Sequence, residues 1–196
     1  PMDVWVSPDG DDVNGTGTFD NPFQTIKQAI DYAISEDSYD FTVHLKDGLY
    51  NLTGDYQLSY SNVINMAIVG ESYGNVKIDC AASTFLKAGQ YTTMYLTNLT
   101  IFNSKGRTFD VRYLTMEYCI VDNAGSLYAQ TSPSQVTLNH VTWTNSQDLK
   151  MYDPKITNCH FENVTSSQMG NIWMATVSGS DFIIIVENNT FVNMVS

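Results

Sequence analysis

The chain is poor in charge, and poorest in positive charge. Of 196 residues only 15% are Asp, Glu, Lys or Arg. Nine Lys and Arg stand against 21 Asp and Glu, a formal net charge of −12. Nucleic-acid binding draws on clustered Lys and Arg, so this balance argues against a nucleic-acid partner. It argues equally against contact with an anionic membrane surface. No apolar run approaches the ~20 residues of a membrane-spanning helix. No signal-peptide pattern opens the chain at Pro1-Met2. The three cysteines have no metal-type spacing. What is plentiful is apolar residues, 43%, together with Asn, Ser and Thr as uncharged polar bulk. A substantial core is therefore expected.

Five short stretches end in the same residue: Asn98 to Asn103, Tyr118 to Asn123, His140 to Asn145, Asn158 to Asn163 and Asn188 to Asn193. The final Asn recurs at spacings of 20, 22, 18 and 30 residues, the range of a repeat architecture. Counting the first residue of each stretch as zero, position one is Leu99, Cys119, Val141, Cys159 and Asn189. Position three is Ile101, Val121, Trp143, Phe161 and Phe191. Positions two and four are more polar. Apolar residues thus alternate with polar ones, the period of a strand with one buried face. Each stretch is predicted to be one short strand of a stack. The closing Asn suits the turn after it, because Asn tolerates the left-handed region and bonds to nearby backbone. Asn103, Asn123, Asn145, Asn163 and Asn193 are expected to form an asparagine ladder inside a parallel β-helix. A leucine-rich repeat is excluded: Leu is scarce in the stretches and no recurring helix separates them. Cys119 and Cys159 fall two coils apart, roughly 10 Å at the strand spacing, beyond disulfide reach. The sequence leaves any partner of Cys80 unread.

The first hundred residues are less regular. Asp3 to Val6 reads as an entry strand and Ser7 to Thr18 as a turn-rich loop. Asn21-Pro22-Phe23-Gln24 has the pattern of a capped helix start, and apolar residues at helical period predict an amphipathic helix over 22–35. Its place would be over the open end of the solenoid. Thr42 to Leu45 begins the first coil, leading to the Gly48 turn. The second coil starts at Asn65 to Val69, with Gly70 in the ladder's turn position. Residues 51–63 and 71–95 read as excursions. Second strands are expected at 108–113, 126–130, 148–152 and 171–177.

The run Trp5-Val-Ser-Pro-Asp-Gly-Asp-Asp, then Asn14-Gly, then Asn21-Pro-Phe-Gln-Thr-Ile-Lys-Gln-Ala-Ile30 resembles the N-terminal signature of pectate-lyase-like right-handed β-helix proteins. Within that family it is most similar to the cell-surface adhesin-like proteins of methanogenic archaea. Gly48-Leu-Tyr50 and Ile68-Val-Gly-Glu71 resemble the first two coils. The resemblance implies an all-β fold: a right-handed single-stranded parallel β-helix with an N-terminal amphipathic capping helix. It covers nearly the whole chain, with residues 1–38 as strand, loop and cap and 39–196 as coils. Adhesins, polysaccharide lyases and glycosidases share this fold, so it leaves function open.

Three chemistries are possible on these residues. Lyase relatives use clustered acidic Ca²⁺ ligands and a basic residue. Here only Arg107 and Arg112 are arginines, with Asp110 between them, and a −12 chain would repel polyuronate unless Ca²⁺ bridged the two. For glycoside hydrolysis, Asp122 and Glu162 share outward position four two coils apart. That separation is near the upper end for an inverting carboxylate pair. Thr144 lies between them, and Tyr118, His140 and His160 share the same broad face as candidate ligand contacts. A Ca²⁺ site in the loop would use Asp9, Asp11, Asp12 and Asn14, competing with a turn held by Asx hydrogen bonds. Tyr56, Tyr60, Tyr73, Tyr91 and Tyr95 fall in excursions, where aromatics can hold sugars. Asn-X-Thr sequons occur at Asn14, Asn51, Asn98, Asn163 and Asn188, of which Asn163 should be inaccessible as a ladder residue.

With no catalytic set established, the expected function is non-enzymatic: an extracellular, cell-surface or wall-associated adhesin-like module attaching to a glycan or protein of another cell. A carbohydrate-active enzyme of the same fold is the alternative, and a passive stalk the third. No cofactor other than Ca²⁺ is implied. The chain is expected to be a fragment, with further repeats on its C-terminal side and specificity in the enlarged coil from Ser166 to Glu187.

Overall fold

The computed structural model describes residues 1–52, 54, 57, 58, 64–89, 91–129, 134–166, 170–176, 179, 181 and 183–195. Three sheets hold nearly all of the regular structure, and every strand pair in them is parallel. The first has eight strands: Met2–Val6, Asp40–Leu45, Ile64–Gly70, Thr92–Thr97, Tyr113–Glu117, Gln135–Asn139, Lys155–Thr157 and Ile185–Glu187. The second has seven: Gly48–Asn51, Val76–Asp79, Thr100–Phe102, Ile120–Asp122, Thr142–Thr144, His160–Glu162 and Thr190–Val192. The third has six: Gln57–Leu58, Leu86–Ala88, Arg107–Asp110, Ser126–Ala129, Leu149–Tyr152 and Ile172–Ala175. The chain visits the sheets in rotation, so each coil adds one strand to each. This is a right-handed parallel β-helix, the hand that parallel crossovers take.

Side chains inside the coils stack on their own kind. Val43, Ile68, Leu96, Met116, Leu138 and Ile156 line up in the first sheet, all fully buried. Ile101, Val121, Trp143 and Phe161 do so in the second, as alternation predicts. Each such side chain stabilises by roughly 1.5–3 kcal/mol relative to exposure. Phe191 continues the column, lying flat on Phe161 at 5.2 Å, and is 46% exposed.

The Asn-ended stretches are shorter strands than the pattern suggests, with only positions two to four extended. Both ends turn through the left-handed region. Asn103, Asn123, Asn145, Asn163 and Asn193 have φ of 57°, 47°, 50°, 52° and 49°. Asn98, Tyr118, His140, Asn158 and Asn188 at position zero have φ of 52–57° as well. The two corners that flank each of these five stretches are thus built alike. The sequence pattern exposes one of them, because only there does Asn recur without exception. Gly70 belongs to the other corner, in line with Asn98. A Cβ on Gly70 would stand 2.2 Å from the Asn98 carbonyl oxygen, so only glycine fits.

The ladder lies on the outer surface and not inside. Asn163 Nδ2 donates to Asn145 Oδ1 at 2.9 Å, and Asn193 donates to Asn163 in turn. Lower down, acidic side chains take the acceptor role. Asn145 Nδ2 donates to Asp122 Oδ1 and Asn103 Nδ2 to Asp79 Oδ1, both at 2.9 Å. A residue that closes a strand at position five points neither in nor out by the period-two rule, because the left-handed turn resets the direction. Asn123 and Asn145 are exposed and Asn163 is half-buried, which corrects its expected inaccessibility.

The helix α1 spans Ile26–Ser35 and not 22–35. Thr25 caps it, its hydroxyl accepting from Gln28 N at 3.2 Å. The Asn21-Pro22-Phe23-Gln24 run is extended: Phe23 N donates to the Trp5 carbonyl and Ser7 N to the Phe23 carbonyl, continuing the first strand's pairing. Tertiary pairing of Phe23 displaces the local capping box. Ile26, Ala29, Ile30 and Ala33 are buried beneath the first coil. The excursion expected over 71–95 holds three strands, Val76–Asp79, Leu86–Ala88 and Thr92–Thr97. Cys80, Cys119 and Cys159 are buried free thiols. Burial raises all three, Cys80 and Cys119 to about 12. Tyr56 and Tyr60 lie outside the described residues.

Candidate functional site

Strand register carries the residues chosen from sequence onto the outer face of the seven-stranded sheet. Asp122, Thr144 and Glu162 form one column over three coils. Thr144 Oγ1 donates to Asp122 Oδ1 at 2.8 Å, beside the Asn145 amide. Asp122 is therefore held as an acceptor in the ladder. Glu162 Oε2 lies 3.0 Å from His160 Nε2, two residues back on the same strand. Tyr118 and His140 stack at 4.7 Å, with ring planes 12° apart, at the corner leading into this sheet. The structure brings each pair together, and no hydrogen bond joins Asp122 to Glu162 among the described contacts. Neither carboxylate lines either of the two surface concavities described below.

The N-terminal loop spends its carboxylates on its own chain. Asp11 accepts from the Asn14 side chain at 2.9 Å and from Val13 N and Asn14 N at 2.8 and 3.0 Å. The Asn14 amide, then the two backbone N–H groups, hold the Asp11 carboxyl below its ordinary range. Asp12 accepts from Gln24 N at 2.7 Å, Thr25 N at 2.9 Å and Thr25 Oγ1 at 2.7 Å, tying the loop to the start of α1. Ser7 Oγ accepts from Asp9 N at 3.3 Å. Asn14, Asp11 and Asp12 thus form a hydrogen-bonded turn. Among the described residues no three His, Cys, Asp or Glu side chains converge as a metal site would require.

The concavities of the described surface include two whose linings bear on a site. One, of about 550 Å³, lies where α1 begins against the first coil, between Pro8, Thr25, Lys27, Tyr50 and Leu52. Tyr50 and Lys27, two of its polar groups, are already engaged. Tyr50 donates to the Val6 and Lys46 carbonyls (3.1 and 2.7 Å), and Lys27 pairs with Asp31. The other, of about 270 Å³, is a trough on the outer face of the eight-stranded sheet. Thr93, Tyr113 and Gln135 form one of its columns, and Tyr95, Thr115 and Thr137 the next. Tyr95 is 46% exposed. The trough carries two phenol rings, three hydroxyls and an amide, with no charged side chain lining it. Rings supply apolar faces and the hydroxyls and amide supply donors and acceptors, the equipment for holding a sugar. Of this set the sequence reading named only Tyr95, as an excursion residue. The missed signal is the alternation in Tyr113-Leu-Thr-Met-Glu117 and Gln135-Val-Thr-Leu-Asn139, an extra strand in each coil.

One stretch of the chain resembles a pectate lyase. Over 71 residues it is 35% identical to pectate lyase PEL9 of Emericella nidulans. The match takes in 36% of this chain and 16% of that enzyme's length. A solved rhamnogalacturonan lyase aligns over 96% of this chain and 66% of its own, at 10% identity and a TM-score of 0.45. No family model matches. The parallel β-helix stands on the chain's own strand pairing, and the short likeness to a pectate lyase agrees with it. Nothing in these comparisons singles out the archaeal adhesins.

Proposed function

We propose that this chain is the polysaccharide-holding β-helix of a carbohydrate-active enzyme, with the glycan laid along the trough of the eight-stranded sheet. The observation that carries this is the trough itself, where Tyr95 and Tyr113 stand among Thr93, Thr115, Thr137 and Gln135. The 71-residue likeness to a pectate lyase supports a polysaccharide as the ligand class. An extracellular location follows from that ligand, because such polymers lie outside cells. A second reading keeps the same face and drops the chemistry: a surface module attaching to glycans of another cell. It is favoured by the lining of the trough, where Tyr, Thr, Leu and Gln side chains stand with no carboxylate or basic group among them.

Binding to a panel of neutral and acidic polysaccharides, followed by assay of new reducing ends and unsaturated products, separates the two readings. Tyr95→Ala with Tyr113→Ala is expected to weaken binding about tenfold per ring, the scale of one aromatic contact. Unchanged binding by the doubly substituted, folded chain would overturn the placement. Product release that depends on Asp122 or Glu162 would move the chemistry to the seven-stranded face.

A further inference from the structure

Asn14-Gly15 is the one Asn-Gly pair in the sequence. It lies in the N-terminal loop, with Asn14 exposed and Gly15 half-buried. The loop calls for both residues. Asn14 Nδ2 donates to Asp11 Oδ2 at 2.9 Å, and Asn14 N donates to Asp11 Oδ1 at 3.0 Å. The Asn14 carbonyl accepts from Asn21 Nδ2 at 3.2 Å, and Gly15 N donates to the Asp11 carbonyl at 2.9 Å. A Cβ on Gly15 would stand 2.1 Å from the Asp11 carbonyl oxygen and 2.7 Å from that of Pro22, so glycine alone fits. Yet asparagine is a thermolabile side chain, and a following glycine exposes it most. Glycine has no Cβ to shield its nitrogen from the preceding Cγ.

We propose that Asn14 is a self-modification site, converting to aspartate and isoaspartate at a rate gated by Asp11. The Gly15 nitrogen, its proton given up to hydroxide, attacks Asn14 Cγ. The new N–C bond forms as Cγ–Nδ2 breaks, and Nδ2 leaves as ammonia after taking a proton from water. Water then opens the cyclic imide at either carbonyl, so asparagine and water become aspartate or isoaspartate and ammonia. Asp11 opposes the attack twice. Its carbonyl holds the Gly15 N–H that must be lost. Its carboxylate fixes the Asn14 amide, and a negative charge beside this peptide disfavours the amide anion that attacks. Conversion in turn acts on the loop. Either product sets a carboxylate against Asp11 where a donor stood, and isoaspartate lengthens the main chain beside Gly15, where not even a Cβ fits. This loop closes the edge of the Met2–Val6 strand: Trp5 N donates to the Gly17 carbonyl at 2.8 Å and Phe23 N to the Trp5 carbonyl at 3.0 Å. Asp12, next to Asp11, ties the loop to the start of α1. Modification therefore loosens the N-terminal edge as the protein ages. Asn103-Ser104 and Asn145-Ser146 have the same chemistry in weaker form, but their serines are buried at the ladder corner, so they stay intact.

The test is incubation of the full chain in mildly alkaline buffer made with heavy-oxygen water, followed by site-resolved peptide mass mapping. Labelled acid at Asn14 is expected, formed faster in urea than in the folded chain, with Asn103 and Asn145 intact while the chain is folded. Asp11→Asn keeps an acceptor for the Val13 and Asn14 N–H groups but removes the charge and the second acceptor. It should speed conversion in the folded chain about tenfold, the scale of one charge-assisted hydrogen bond. No conversion at Asn14 in either the folded or the unfolded chain, equal rates in the two, or an unchanged rate in Asp11→Asn with native circular dichroism would overturn the proposal. Asn14→Asp, which copies one product, reads the consequence separately. Hydrogen exchange at the Trp5 and Phe23 amides should quicken in it, and adding Asp11→Asn should slow exchange again, because the new amide donates to the new carboxylate. Parental exchange rates in Asn14→Asp would refute the loosening of the edge.

Discussion

Replacing Asn145 by alanine removes three things at once. Its φ of 50° is left-handed, where a Cβ-bearing residue without a helpful side chain costs about 1–2 kcal/mol. Its amide no longer donates to Asp122 Oδ1, and its carbonyl oxygen no longer accepts from Asn163, each bond 2.9 Å long. Each bond contributes about 0.5–1.5 kcal/mol net, and less where water replaces it. The sum is about 3 kcal/mol for Asn145→Ala. Glycine loses the same two bonds and escapes the left-handed cost, so Asn145→Gly should be milder by about 1 kcal/mol. Aspartate tolerates the turn but faces Asp122 without a donor. Asn145→Asp should therefore destabilise at neutral pH and recover as pH falls and one carboxylate is protonated. Urea unfolding followed by tryptophan fluorescence reads all three. If alanine proves no worse than glycine, the left-handed corner is not where Asn matters. If all three variants match the parent chain, the ladder contributes nothing to stability.

Other outcomes follow from the same geometry. Trp143 is fully buried and donates to the Gln147 carbonyl at 3.0 Å, so Trp143→Ala should cost about 3–5 kcal/mol in urea unfolding. Phe191→Ala, one column member half in solvent, should cost far less. Thr25→Ala should cost about 1 kcal/mol, and Asn21→Ala less. The reverse order would restore the earlier helix start. Native Cys119 and Cys80, with thiols pushed up to about 12 by burial, should resist maleimide at pH 8 and react on unfolding. Asp11 is held below the usual carboxylate range, so its share of loop stability should be complete above that range. It should be lost as pH falls through the lowered value, which NMR titration of Asp11 can follow.

Local rules made the solenoid legible before any coordinates. Alternation across positions one to four separates inside from outside within a single strand. The recurring Asn marks a left-handed corner because few other residues accept that φ, and these signals need no knowledge of distant residues. Tertiary pairing decided the rest. Phe23 paired with the first strand, so α1 is capped by Thr25 and not by Asn21. The same φ at Tyr118 and His140 hid the second corner, since stacking there substitutes for an Asn side chain. The trough at Tyr95 and Tyr113 exists only because strands from different coils lie in register. The segments joining those strands differ in length from coil to coil. Sequence spacing therefore determined that coils stack, while only the folded pairing determined which side chains became neighbours.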